Sequence, residues 1–377
     1  MRILHVITTL DVGGAEMHLL SQVRGQCARG HQVRVCYLKG EARLAEDFRT
    51  AGADDVARVA WLPWGGRSLA GRLDWAEVIH SHLLKADGLT ALSALLRGAC
   101  SHLISGKHND EQVLRRPLVS FFHGLIARLP RRTIVLSDHV GRFFGEHGGV
   151  AEDGLRRIYY GIDPTPFAAA REASAAERDA LRASFGFGPD DVLFVCVARF
   201  APQKAHDVLL DAFAAASREV GAVPMGLLLV GDDPFGDGRE RAERRARDLD
   251  LGGRVHFAGI RRDVPAICAA SDAFVMSSLW EGLGLVFLEA MASGLPVLST
   301  RVSAIPEVVD EGVTGLLVAP GDTSSLALGL SDLARDPELR RTLGEAGRSR
   351  VRSRFGLERM VEETLAVYRE VLEAPGA

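Results

Sequence analysis

The sequence predicts an α/β protein of two doubly wound halves, and three observations lead there. Apolar runs of strand length alternate with helical periods; the alternation lapses once near the middle of the chain; it then restarts. At 377 residues the chain is long enough for two domains with full cores. Ligands of open parallel sheets sit beyond the carboxyl ends of the strands, so the halves are expected to face each other across a cleft.

Taken in order, "RILHVITTL" reads as a buried strand, followed by the loop "DVGGAE" and a helix "AEMHLLSQVRGQCARG" that closes at Gly30. "QVRVCYL", "EVIHSH", "SHLISGKH" and "RTIVLS" are further strands separated by helical stretches, and residues 1–165 form the first domain. From about Asp163 to Asp190 the chain is Pro-, Gly- and Ala-rich, and residues 166–188 are expected to be a linker with a helix near 175–184. The rhythm restarts in 189–356 with "DVLFVCVARF", the helix "AHDVLLDAFAAASREV", the strand "MGLLLVG", a charged helix "GRERAERRARDLD" and the strand "RVHFAG". "DAFVMSS", a helix over "GLVFLEAMASG" and "LPVLST" complete it. The end, 357–377, holds an amphipathic helix "GLERMVEETLAVYREVLEA" with no strand after it, expected to cross back and pack on the first domain.

Composition narrows the function classes. Apolar residues make up 47% and charged residues 25%, ordinary for a globular protein, and the net charge of −4 gives no global argument for nucleic acid, so no such partner is expected. Cys27, Cys36, Cys100, Cys196 and Cys268 are scattered without CxxC or Cys/His ligand spacing, which reads as free thiols in a reducing cytosol. The first residues lack the cleavage signals of a signal peptide, and no window approaches about 18 apolar residues. A cytoplasmic location is expected, with contact at the inner face of a membrane left open.

The chemistry concentrates in "LWEGLGLVFLEAMASG". Glu281 falls in a loop after a strand and Glu289 in the second turn of a helix, with seven glycine or apolar residues between them. Eight residues of helix would separate them by about 12 Å. A retaining glycosidase needs carboxyls about 5–5.5 Å apart and an inverting one no more than about 9.5 Å, so they make a poor hydrolase pair. Two acceptors gripping hydroxyls at different ends of one extended ligand fit better; a capping carboxylate plus a surface glutamate is the plainer alternative. Gly282 and Gly284 let backbone approach a ligand closely.

In "VCVARFAPQKAHDVLLDAF", Arg199 follows a strand and Lys204 opens a helix, a pair that can converge on one diphosphate unless both are merely solvated. Gly13 and Gly14 end the first strand in a phosphate-cradling position, though neither a dinucleotide fingerprint nor a P-loop is present. Of the histidines, His80 reads as a structural hydrogen-bonder, while His82 and His108 sit where strands run out. The only D-x-D is "DLD" at 248–250, a solvated helix end, and "GDDPFGDG" at 231–238 reads as a turn, so neither metal nor cofactor is expected.

Over nearly its whole length the chain resembles the retaining GT-B glycosyltransferases of glycosyltransferase family 4. Glu281 and Glu289 are similar to the family's E-x7-E pair, and "VARFAPQKAHDVLLDAF" to its segment with the diphosphate arginine and lysine. "SGLPVLSTRVSAIPEVVDEGVTGLLVAPGD", "GGAE" and "HSH" match further segments. The resemblance implies two Rossmann-like domains and transfer with retention, without metal, from a nucleotide diphosphate-sugar. A UDP-sugar is expected first and a GDP-sugar next, with a hydroxyl acceptor in glycan, glycolipid, lipopolysaccharide or exopolysaccharide synthesis. It implies Glu281, His108, Arg199 and Lys204 as catalytic residues. Donor contacts would come from Gly13, Gly14, Gly259, Ile260, Arg261, Gly282, Leu283, Gly284, Leu285 and Glu289; Glu16, His82 and Lys85 would lie on the acceptor side. The chain departs from the family pattern at Tyr160, where an asparagine is usual, at Ser303-Ala304 in place of two glycines, and at Ala205 in place of a glycine.

"LRRPLVSFFHGLIARLPRR" sets Arg115, Arg116, Arg128, Arg131 and Arg132 around Leu118, Phe121, Phe122, Leu125 and Leu129. Residues 115–132 therefore read either as a helix lying on an anionic lipid surface, which would suit a lipid-linked acceptor, or as a core helix with solvated ends. The alternatives to a glycosyltransferase are a sugar-nucleotide epimerase and a donor-binding protein without catalysis.

Overall fold

Each half of the sequence builds one all-parallel sheet. The computed structural model describes residues 1–60, 68–233 and 236–373, and these fall into two units: Met1–Gly161 with Leu357–Ala377, and Ile162–Gly356. The first sheet holds β1 (Arg2–Ile7), β2 (Gln32–Tyr37), β3 (Asp55–Arg58), β4 (Val78–His82), β5 (Leu103–Lys107), β6 (Arg132–Val135) and β7 (Leu155–Arg157) in the order β3-β2-β1-β4-β5-β6-β7. The second holds β8 (Val192–Val197), β9 (Met225–Val230), β10 (Val255–Gly259), β11 (Ala273–Met276), β12 (Val297–Thr300) and β13 (Gly315–Val318) in the order β10-β9-β8-β11-β12-β13. Helices cover both faces, which is why the central strands read as unbroken apolar runs.

The strand order reverses between β1 and β4 in the first unit and between β8 and β11 in the second. At such a switch point the loops leave in opposite directions and open a crevice beyond the strand ends. The residues predicted to carry the chemistry follow those four strands: Gly13 and Gly14 after β1, His82 at the end of β4, Arg199 and Lys204 after β8, and Glu281 after β11.

The C-terminal helix, Leu357–Glu373, belongs to the first unit. Met360, Val361, Thr364, Leu365 and Tyr368 recur at helical spacing and are buried, in contact with the helix Gly14–Ala28. The amphipathic end of the sequence thus has its partner in the first domain; the last residues of 357–377 lie outside the described ones. The stretch 166–188, expected to link the domains, is part of the second unit. There Phe167 is buried, and Arg182 donates to the Ala270 carbonyl at 3.2 Å and to Asp272 at 3.0 Å. Its alanine-rich composition reflects two short helices, Thr165–Arg171 and Ala175–Ser184, the latter opened by a capping box between Ser174 and Glu177.

Two departures from the family pattern have a backbone meaning. Ala205, in place of a glycine, has φ +46°, and Ser303, in place of another, has φ +48°. Both are left-handed, where a Cβ is strained by roughly 1–2 kcal/mol and glycine is not. Ala205→Gly is therefore expected to raise stability by about 1 kcal/mol, part of the relief being offset by the freer unfolded chain. Urea denaturation should show a higher midpoint at unchanged slope; an equal or lower midpoint would remove the strain argument.

Candidate functional site

In the second unit the loops after β8 and β11 are laced together. Leu279 N–H donates to the Gln203 carbonyl at 2.8 Å, Gln203 Nε2 to the Trp280 carbonyl at 2.6 Å, and Ser277 Oγ to the Lys204 carbonyl at 2.8 Å. This brings the Lys204 ammonium into an ion pair with Glu281, whose Oε1 also accepts from Ser278 Oγ at 2.6 Å. Glu281 is buried and Lys204 nearly so. The sequence offered Lys204 to a diphosphate and Glu281 to a sugar as separate sites; the structure joins them. Arg199 projects from the same loop, exposed and without a side-chain partner among the described residues.

Gly282, Leu283 and Gly284 lead from Glu281 into the helix Leu285–Ala292. Gly284 has φ +77° and a Cβ there would collide with the Phe287 ring, so only glycine serves. Glu289, in the second turn, is half-buried with no carboxylate partner among the described residues, and desolvation pushes it up to about 7. The turn after β10 exposes Ile260, while Arg261 is engaged by Asp263 at 2.6 Å.

In the first unit Gly13 precedes the helix Gly14–Ala28 and Gly14 is exposed, with open space where a Cβ would be. Glu16 is buried and accepts from Thr9 Oγ1 at 2.6 Å, while Lys85 is exposed. His82 does not reach the surface. It is fully buried, with His5 Nδ1 3.0 Å from its Nε2 and His108 Nε2 2.9 Å from its Nδ1, because inward side chains at the end of β4 meet those of β1 and β5. His80 is a buried hydrogen-bonder, 2.7 Å from the Tyr368 hydroxyl. His108 is half-buried and bonded to the Tyr160 hydroxyl at 2.7 Å; burial pushes it down to about 4, so it is neutral at pH 7.

His5, Gln26 and His18 were not singled out from sequence, and Tyr160 only as a departure from the family pattern. His18 stacks on Tyr160 at 4.1 Å with its buried Nδ1 unpartnered. The departure at Tyr160 was the available signal, since it replaces a small amide by a large phenol. His5, His80 and His82 each bring a ligating nitrogen within 4.8 Å of the others. Both ring nitrogens of His5 and of His82 are hydrogen-bonded, so a metal there would displace at least one of these bonds.

The helix Pro117–Ile126 presents Leu118, Phe121, Phe122 and Leu125 at 69, 62, 56 and 49% exposure, which excludes the core-helix reading. Leu92, Leu95 and Leu96 of the contacting helix Leu84–Arg97 are exposed as well. Arg115, Arg116 and Arg128 are exposed beside it, whereas Arg132 is held by Glu370 at 2.7 Å. Buried His123 fixes the inner face through the Gly148 carbonyl at 2.6 Å.

Residues 12–165 match the profile described as Glycosyltransferase Family 4, and residues 177–350 that of Glycosyl transferases group 1. The chain is 36% identical over 194 residues to N-acetyl-alpha-D-glucosaminyl L-malate synthase of Bacillus anthracis, covering 51% of this chain and 49% of that protein. It is 33% identical over 256 residues to D-inositol 3-phosphate glycosyltransferase of Saccharomonospora viridis, covering 66% and 56%. The chain thus spans about half the length of the curated relatives it matches. Among solved structures, Alr3699/HepE of Anabaena in complex with UDP and glucose superposes with a TM-score of 0.86 at 22% identity, covering 98% of this chain and 99% of that one. WaaG, a glycosyltransferase involved in lipopolysaccharide biosynthesis, superposes at 0.70 and 19%. These place the fold among GT-B proteins.

Glu289 makes stability depend on pH. Its raised pKa means that the folded state holds a proton more tightly than the unfolded state, so stability declines as pH rises from about 4.5 through about 7. Glu289→Gln should remove that decline and stabilise the protein above pH 7 by about 2 kcal/mol, discounted for partial exposure. Melting curves from pH 5 to 8 check this; parallel profiles would refute the desolvated carboxylate.

Proposed function

The chain belongs to the glycosyltransferases whose family 4 and group 1 profiles its two halves match, and from that premise we propose that it transfers a sugar from a nucleotide diphosphate-sugar to a hydroxyl acceptor. The observation that carries the reading is the ion pair of Lys204 and Glu281 at the carboxyl ends of β8 and β11, with Arg199 exposed in the same loop as Lys204 and the glycine-opened loop between Glu281 and Glu289. Arg199 and Lys204 supply cationic donors for a diphosphate, and Glu289 a bare carboxylate for a ribose diol. The backbone of Leu283, Gly284 and Leu285 is assigned to the sugar, and Gly259 to Arg261 to the base.

In this mechanism the acceptor oxygen attacks the anomeric carbon on the face the diphosphate leaves. The bond from that carbon to the diphosphate oxygen breaks, and the acceptor's proton passes to the departing diphosphate, so configuration is retained. Arg199 and Lys204 stabilise the charge that develops on the leaving group, an interaction stronger in the transition state than in the ground state. UDP is the favoured nucleotide, supported by UDP and UDP-glucose in the HepE complexes. Relatives named for inositol phosphate, phosphatidylinositol mannoside and lipopolysaccharide core support a polyhydroxyl or lipid-linked acceptor. The apolar face of Pro117–Ile126 with its arginines is assigned to an anionic lipid surface.

Thermal shift with UDP, GDP and ADP tests the donor. One nucleotide should raise the midpoint, by about 2.7 kcal/mol at a hundredfold excess over Kd. Arg199→Ala should lose the shift while its unliganded midpoint stays within roughly 0.5 kcal/mol of wild type, because the side chain is exposed and unpartnered. Failure of all three nucleotides to shift the wild type would overturn the reading. For the lipid surface, wild type should co-sediment with phosphatidylglycerol vesicles and not with phosphatidylcholine vesicles. Phe121→Asp with Phe122→Asp should abolish this at unchanged stability; retention by the double variant would reject the assignment.

A further inference from the structure

Behind His108 runs a continuous chain of hydrogen bonds through the core of the first unit. Tyr160 Oη lies 2.7 Å from His108 Nδ1, His108 Nε2 lies 2.9 Å from His82 Nδ1, and His82 Nε2 lies 3.0 Å from His5 Nδ1. His5 Nε2 is 2.9 Å from Gln26 Oε1. Beyond it, Gln26 Nε2 faces Gln22 Oε1 at 3.5 Å, Gln22 Nε2 donates to Thr364 Oγ1 at 2.8 Å, and Thr364 Oγ1 donates to the Met360 carbonyl at 2.8 Å. Gly106 makes room for it: a Cβ there would stand 2.9 Å from His80 Nε2, 3.0 Å from His82 Nδ1 and 3.3 Å from His108 Nε2.

The chain has one direction. A neutral imidazole has one donor and one acceptor nitrogen, so the state of one ring dictates that of the next. Burial lowers all three rings, His5 and His108 to about 4, so they are neutral at pH 7. The Gln26 carbonyl can only accept, which puts the His5 proton on Nε2 and leaves Nδ1 bare. His82 then carries its proton on Nε2, and so does His108. At the other end the buried Tyr160 hydroxyl has His108 Nδ1 as its one hydrogen-bond acceptor among the described residues. The Tyr160 hydroxyl, able to donate as well as accept, completes the same order by donating to His108 Nδ1.

We propose that Gln26, His5 and His82 are positioning residues that hold His108 as the neutral tautomer protonated on Nε2. With its proton turned inward to His108, the Tyr160 oxygen has only lone pairs left to offer. The pair therefore receives a hydroxyl that donates and repels an acceptor-only group such as a carboxylate. The substrate half of this inference rests on the glycosyltransferase reading, and the tautomer half stands without it.

Long-range 1H–15N spectra of the full chain labelled in histidine read each ring nitrogen as protonated or bare. The wild type should show His108, His82 and His5 all bare at Nδ1 and protonated at Nε2 from pH 6 to 8. Gln26→Met removes the terminal acceptor and should shift His108, three links away, towards a mixture of tautomers. Leu365→Ala, a core lesion on the C-terminal helix that packs against the helix of Gln26, should lower stability and leave the His108 signals in place. In transfer assays with whichever nucleotide-sugar the thermal shift selects, Gln26→Met should reduce kcat about tenfold or more with little change in KM. A wild-type His108 protonated on Nδ1 overturns the proposal even if Gln26→Met fails to fold. So does a Gln26→Met change confined to His5, or an equal His108 change in Leu365→Ala. Loss of the kcat effect with the spectra as expected would remove the substrate half alone.

Discussion

A charge taken out of water must meet its opposite, and the loops of the second unit are organised around that requirement. Lys204 and Glu281 have each surrendered most of their hydration, and each is the other's compensation. Removing one partner of such a pair is destabilising by roughly 3–5 kcal/mol, because the survivor is left buried and alone. The pair therefore fixes the distance between the loop after β8 and the loop after β11. The backbone bonds through Gln203, Ser277 and Leu279 then set their angle. With the loops fixed, the glycine turn at 282–284 and the start of the next helix have only one place to go.

The first unit meets the same constraint with neutral groups. Successive residues of a strand point to opposite faces, and at the end of β5 this separates Lys107 from His108. Lys107 turns to Asp87 at 2.5 Å, which also accepts from Ser81 Oγ, making a buried ion pair beneath the exposed helix Pro117–Ile126. His108 turns to an all-neutral chain in which every ring gives one proton and takes one. Burial favours that arrangement, since an imidazolium in this core would face a bare nitrogen on only one side.

The central strands were legible in the sequence because burial on both faces writes them as long apolar runs. β3, β7 and β13 went unread, and all three are short strands at sheet edges, where one side is open and the apolar run is brief. The loops of the candidate site were legible through residue type: Glu281, Glu289, Arg199 and Lys204 stand out in apolar or glycine-rich surroundings. Their pairing was not, because Lys204 and Glu281 are 77 positions apart and only adjacency of β8 and β11 joins them. The imidazole chain was hidden for the same reason. His5, Gln26, His82 and His108 come from different elements; His82 and His108 each stood out singly at a strand end, while His5 and Gln26 read as ordinary polar residues of a strand and a helix.

The ion pair also bears on how a diphosphate would be recognised. Lys204 is not a free cation, since Glu281 already cancels most of its field, and Arg199 remains as the uncompensated charge of the group. An exposed charge acts through high dielectric and attracts an anion weakly at contact, about 1 kcal/mol at 4 Å in water. A buried one acts strongly but only at short range. On the proposed reading Arg199 gives the first attraction, and a phosphate oxygen reaching Lys204 competes with Glu281 for the ammonium. Each oxygen of Glu281 released in that competition becomes an acceptor for a sugar hydroxyl, so diphosphate and sugar are gripped as one ligand. The affinity for the whole donor then exceeds the sum for its separated halves, because neither half alone can satisfy both members of the pair.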